Sequence, residues 1–153
     1  MVPGGPTPVE AKALVGEIDW LRLVGPPCKH VFSVCTGAFL LGEAGLLSNR
    51  RATTHWATLD GLEAYGAIPV ADRWVRDGNI LTAAGVSAGL DAALHLTIAE
   101  CGDTLAKAIQ LLIEYDPSPP IDCGNLDKAG PEVVAFLASA EGARLSERKQ
   151  RRP

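Results

Sequence analysis

At 153 residues the chain is sized for one domain. Its 47% apolar and 21% charged residues are ordinary for a soluble globular protein, no apolar run is long enough to span a membrane, and no secretory signal opens the chain. The net charge of −4 argues against a general nucleic-acid surface.

In chain order, Val2-Pro3-Gly4-Gly5 reads as the loop after a strand. Thr7, Pro8 and Glu10 then supply an N-cap, a proline at the first helical position and a closing capping-box residue. Leu14, Ile18 and Leu21 fall on one face of the helix that follows, which stops at Gly25-Pro26-Pro27. His30 to Val34 reads as a strand and residues 36–47 as a helix, joined at Cys35 by small residues. Arg51-Ala52-Thr53-Thr54 is a short strand candidate, followed by a helix over 56–65. Asp77-Gly78 between Arg73–Arg76 and Asn79–Thr82 is a two-residue hairpin signal. Ser87 is the expected N-cap of a helix from Leu90 to about Glu100, apolar nearly all round and so expected to be buried. After Asp103 comes an amphipathic helix with Leu105, Ile109, Leu112 and Ile113 predicted to face inward. Pro117-Ser118-Pro119-Pro120 breaks regular structure, and a last helix is predicted from near Pro131.

Strands alternating with helices predict an α/β fold: a three-layer sandwich with a mostly parallel sheet. A parallel strand such as 30–34 is normally buried between neighbours, yet the chain opens at the loop after a strand. The sheet is therefore expected to be N-terminally truncated, one or more central strands short. Residues 1–140 are expected to form the domain. Residues 141–153, with Arg144, Arg148, Lys149, Arg151 and Arg152, read as a basic, frayed tail.

Cys35 is the leading site candidate. A strand that delivers a reactive side chain to a tight turn, with a helix leaving at once behind it, is the form of a nucleophile elbow. Unpaired N–H groups and the partial positive charge of the helix start favour thiolate over thiol. A small buried hydrophobe is the commonest fate of a free cysteine, but the elbow context outweighs it. Cys28, Cys35, Cys101 and Cys123 lack C-x-x-C and metal-ligand spacing. They read as free thiols in a reducing, cytoplasmic compartment, and no metal is expected.

Four segments in order carry a resemblance: Val34-Cys35-Thr36-Gly37; Arg51 to Trp56; Asp77 to Thr82 with Gly85-Val86-Ser87-Ala88-Gly89; and Ile109-Gln110 through Tyr115 to Pro120. Together they resemble the ThiJ/PfpI superfamily, and within it the isonitrile hydratase branch. The same pattern occurs in the sensor domain of some AraC-type regulators. The resemblance runs from Val2 to about Leu137. It implies a flavodoxin-like, glutamine amidotransferase-like fold and a homodimer. It also implies water addition to an isonitrile, giving an N-substituted formamide, with Cys35 as catalytic nucleophile and no cofactor.

The same resemblance implies that Gly4 and Gly5 offer backbone N–H groups to a small-molecule substrate. Thr36, next to the nucleophile, reads equally as a substrate-binding residue or as the first residue of a helix. Val86, on the loop expected to face the elbow, is a pocket-lining candidate. The family's general acid is an acidic residue on an upstream segment with no counterpart here. His30, His55 and His95 read as structural histidines. Asp91 and Asp122 are carboxylates that the sequence does not place. The alternative to an enzyme is a ligand- or redox-sensing domain, or an inactive truncated homologue.

Overall fold

Four-residue apolar runs and a Gly-turned hairpin build the sheet. The structure, a computed structural model, describes residues 1–5 and 15–150, with side chains as far as Ser139. The predicted capping box at Thr7-Pro8-Val9-Glu10 and the helical residue Leu14 lie outside the described residues. The chain divides into two compact units, Met1–Tyr115 and the segment from Asp116 onward.

In the first unit the elements run α1 (Val15–Val24), β1 (Val31–Val34), α2 (Gly37–Glu43), β2 (Arg51–Ala52), a 3-10 segment (Trp56–Tyr65), β3 (Ile68–Pro69), β4 (Trp74–Asp77), β5 (Ile80–Ala83), α3 (Val86–Cys101) and α4 (Asp103–Leu112). The three-stranded sheet has the order β1-β5-β4. β1 and β5 are parallel, with Val31 opposite Ile80 and Val34 opposite Ala83. β4 and β5 form the antiparallel hairpin. Its two-residue loop is Gly78-Asn79 rather than Asp77-Gly78, because Asp77 still pairs with Ile80 and Gly78 supplies the positive φ of 61°. On the other side of β1, Val2 makes a parallel bridge to Ser33: its N–H donates to Phe32 O at 2.7 Å, and its carbonyl accepts from Val34 N–H at 3.1 Å. β1 is thus paired along both edges, as its apolar sequence requires. β2 and β3 form a separate parallel pair. An antiparallel hairpin at the edge of parallel strands makes the sheet mixed.

Strand alternation sorts the core into two faces. Val31 and Ile80 join Val2, Ile18, Leu21, Ala38, Leu41 and Leu62 on the side of α1 and α2. Phe32, Leu81 and Ala83 pack with Ala88 and Ala92 of α3 on the other. Helices therefore cover both faces, which is the three-layer arrangement. Small residues on α3 let it approach closely: a Cβ added at Gly89 would sit 3.0 Å from both Val34 methyls.

Several local expectations are corrected. α3 starts at Val86 with Gly85 as N-cap and no side-chain cap, so Ser87 lies inside the first turn. α3 buries only Ala88, Gly89 and Ala92, while Leu90 and Ile98 are exposed. Uniform apolarity along α3 therefore did not mean burial, since one sheet covers one side of a helix. On α4 the buried residue is Ala106, whereas Leu105, Leu112 and Ile113 are exposed. The segment predicted as a helix over 56–65 is a 3-10 segment broken at Thr58 (φ −134°).

The second unit contains α5 (Leu126–Gln150). It begins earlier than predicted because Asn125 Oδ1 accepts the Lys128 N–H at 3.0 Å as an N-cap. Gly130 (φ 71°) and Pro131 put a kink where the sequence suggested a start. The backbone stays helical to Gln150, into the segment read as a basic tail.

Candidate active site

Cys35 occupies the turn between β1 and α2 with φ 56°, a left-handed conformation that costs a non-glycine residue about 1–2 kcal/mol. Three backbone hydrogen bonds hold it there. Its N–H donates to Ala83 O at 2.9 Å. Its carbonyl accepts from Ala38 N–H at 3.2 Å and from Thr54 Oγ1 at 2.8 Å. The strand ends and a helix begins within three residues, as an elbow demands, and the side chain is half-buried. The turn lies at the carboxyl ends of the parallel strands, where open α/β sheets place their ligand sites. Among the described residues Cys35 Sγ has no hydrogen-bond partner.

The Val2–Gly5 segment is clamped against this turn. A Cβ at Gly4 would lie 2.7 Å from Thr36 N and 2.9 Å from Cys35 Cβ, and one at Gly37 would lie 2.3 Å from Val2 O. Only glycines permit this approach. Thr36 is buried and precedes α2, but its hydroxyl does not cap the helix. Instead Thr36 Oγ1 accepts from Gly5 N–H at 2.9 Å and donates to Gly5 O at 3.0 Å. The Gly5 N–H, expected to face substrate, is engaged by Thr36. Val86, expected on a loop, is instead the first residue of α3 and is 83% exposed, because the helix starts directly after Gly85. Gly4, Gly5, Thr36 and Cys35 are thus brought together, and Val86 stands at the start of α3.

Two threonines hold the floor. Thr82 Oγ1 accepts from Thr53 N–H at 2.9 Å, and Thr53 Oγ1 donates to Asp72 O at 3.0 Å. With Thr54 on the Cys35 carbonyl, the 51–54 segment braces the turn from beneath, a role that sequence reasoning did not assign. Ser33 Oγ, fully buried two residues before Cys35, has no hydrogen-bond partner among the described residues.

The histidines take local roles. His55 Nδ1 accepts from Ala57 N–H at 3.3 Å. His95 stacks on Trp74 at 4.0 Å between ring centroids. His30 pairs with Glu100 at 2.8 Å, and Lys29 joins the same carboxylate. Asp122 pairs with Lys128 within the second unit. Asp91 is engaged by the Arg73 guanidinium and by Tyr115 Oη at 2.7 Å. Arg73 Nη2 also donates to Ser87 Oγ at 3.3 Å. The hydrogen bond to Asp91 raises the Tyr115 pKa, with partial burial adding to the rise. The same carboxylate raises that of Arg73. This grouping was missed, because Arg73 and Tyr115 each lie more than a dozen residues from the Ser87 and Asp91 that they meet. Among the described residues no cluster of three or more His, Cys, Asp or Glu could hold a metal ion, and no helix is long and apolar enough to cross a membrane. A cleft of about 300 Å³ beside Pro26, Leu46, Ser48, Arg50 and Asn79 opens at the opposite end of the strands. It is remote from Cys35.

Residues 1–99 match the model of the DJ-1/PfpI family. The chain belongs to that family. It is 47% identical over 133 residues to an isonitrile hydratase of Pseudomonas putida, an alignment covering 87% of this chain and 58% of the relative. It is 36% identical over 94 residues to the HTH-type transcriptional regulator CdhR of Pseudomonas aeruginosa, covering 60% of this chain and 28% of the regulator. A crystal structure of a ThiJ/PfpI family protein from Pseudomonas syringae superposes with a TM-score of 0.83 at 37% identity, over 89% of this chain and 56% of that one. The DJ-1/PfpI fold is therefore shared, and the chain spans a little over half the length of the hydratase and of the Pseudomonas syringae protein, and about a quarter of the regulator.

Proposed function

We propose that this DJ-1/PfpI domain hydrates isonitriles through Cys35. The observation that carries the reading is the strained left-handed backbone of Cys35 at the end of β1, in a chain 47% identical to an isonitrile hydratase. Strain of this kind persists where surrounding structure enforces it, and it clusters at reactive centres. The Cys35 thiolate adds to the terminal carbon of R–N≡C, forming the S–C bond, and that carbon takes a proton. The resulting thioimidate, R–N=CH–S–Cys35, is attacked by water. Collapse of the adduct breaks the C–S bond, returns the thiol and releases R–NH–CHO. Electrons and atoms balance without a redox partner. In this reading Gly4 and Thr36 shape the substrate side of the turn and Val86 its rim. The working assembly is a cytoplasmic homodimer.

A second reading, a ligand- or redox-sensing domain without turnover, is favoured by one feature. Among the described residues no carboxylate is hydrogen-bonded to Cys35, and Asp91 is held by Arg73 and Tyr115. The regulator relatives are compatible with it.

Formamide release from a simple alkyl isonitrile, measured on this chain and on Cys35→Ala, separates the two. Turnover that disappears in Cys35→Ala is the expected result. A folded chain with no Cys35-dependent turnover would leave the sensor reading.

A further inference from the structure

The Arg73–Asp91–Tyr115 grouping has no part in the reaction above, and its ion pair adds little to stability. The Arg73 and Asp91 side chains are 51% and 29% exposed, a setting in which water screens most of the attraction. Tyr115 is nonetheless delivered to them by a strained turn. Glu114 adopts φ 49°, and the turn is locked on both sides. Tyr115 N–H donates to Gln110 O at 3.0 Å, and Gln110 Nε2 donates to Tyr115 O at 3.1 Å. The left-handed turn that terminates α4 thus fixes the position from which the Tyr115 hydroxyl reaches the ion pair.

The object positioned is the 84–87 segment, where β5 passes into α3. Arg73 grips residues 84–87 at both ends: its carbonyl accepts the Ala84 N–H at 3.0 Å, and its Nη2 reaches Ser87 Oγ at 3.3 Å. Between these points Gly85 is extended with open space around it, and Val86 is 83% exposed. The segment leaves β5 directly after Ala83, whose carbonyl holds the Cys35 N–H at 2.9 Å. The segment therefore starts next to the Cys35 backbone, at the carboxyl end of β5.

We propose that Arg73, held by Asp91 and Tyr115, fixes the 84–87 segment, the β5–α3 link and the first turn of α3, as a gate that sets the size of the group able to reach Cys35 Sγ. These residues are then specificity-determining. The proposal rests on Cys35 being a reactive thiol, and not on the isonitrile reaction itself.

The test uses the full chain and reads rates of Cys35 alkylation by N-methylmaleimide and by N-cyclohexylmaleimide, with the adduct located by peptide mass spectrometry. Tyr115→Phe and Ser87→Ala are each expected to raise the large-to-small rate ratio by about threefold, the scale of one lost hydrogen bond to a charged group that water largely screens. Lys29→Ala, at the far end of the strands, is expected to leave the ratio unchanged. A reactive Cys35 whose ratio is unmoved in both folded gate variants would overturn the gate alone. A folded wild type whose Cys35 takes up neither reagent would overturn the gate and the reactive-thiol reading together.

Discussion

Cys35 concentrates two opposing requirements in one residue: a side chain is needed, and the backbone conformation disfavours one. At φ 56°, glycine would be relaxed where alanine is strained. Cys35→Gly should therefore be more stable than Cys35→Ala by about 1 kcal/mol, read from urea midpoints. Equal stability would mean that the turn relaxes freely and stores no strain. Gly4 carries the complementary steric demand. A Cβ there meets Thr36 N at 2.7 Å, whereas a Cβ at Gly5 has nothing within 4 Å. Gly4→Ala should cost about 1–3 kcal/mol by forcing backbone apart, and Gly5→Ala should stay within about 0.5 kcal/mol. A neutral Gly4→Ala would show that the Val2–Gly5 segment is not clamped against the turn. The elbow was legible because it is local: an apolar run, a cysteine and small residues follow one another over 31–38. Thr36 was left with two readings, since the partner that decides between them, Gly5, is distant in sequence.

Elements here are tied together at their ends. At the carboxyl ends of the strands, the 51–54 segment and the end of β5 hold the turn through Thr54 and Ala83. At the opposite end, Glu100 on the last turn of α3 accepts from Lys29 and His30, just before β1. The hydrogen bonds from Lys29 and then His30 hold the Glu100 carboxyl below its ordinary pKa. A lowered carboxyl pKa contributes stability that is present above the unfolded-state value and lost as pH falls through the folded-state value. Wild type and Glu100→Gln should thus differ in thermal midpoint at neutral pH and converge in acid, below the ordinary glutamate range. A gap that persists in acid would assign it to packing. Element order and the hairpin were readable from periodicity and Gly78. Burial on α3 and α4 was not, because apolarity tells which residues tolerate a core and not which face receives one.

For the whole molecule, the apolar surface is the open matter. Leu90, Ile98, Leu105, Leu111 and Leu112 are all exposed on α3 and α4, and exposed apolar patches often mark interaction surfaces. The homodimer proposed above is expected to show in sedimentation equilibrium as a mass near twice the 16.1 kDa of the chain. Leu111→Glu with Leu112→Glu is expected to shift that equilibrium toward monomer. A monomer at every concentration would overturn the dimer.

The family, the α/β alternation and the candidacy of Cys35 were all present in the chain as written, because each is carried by short contiguous segments and their order along the chain. Tertiary structure alone decided that Thr36 turns to Gly5, that Thr54 and Ala83 hold the cysteine backbone, and that Arg73, Asp91 and Tyr115 meet. Each of those contacts joins residues separated by loops and whole elements. Hydrophobic period and turn chemistry carry no information about such meetings until the sheet has brought the strand ends side by side.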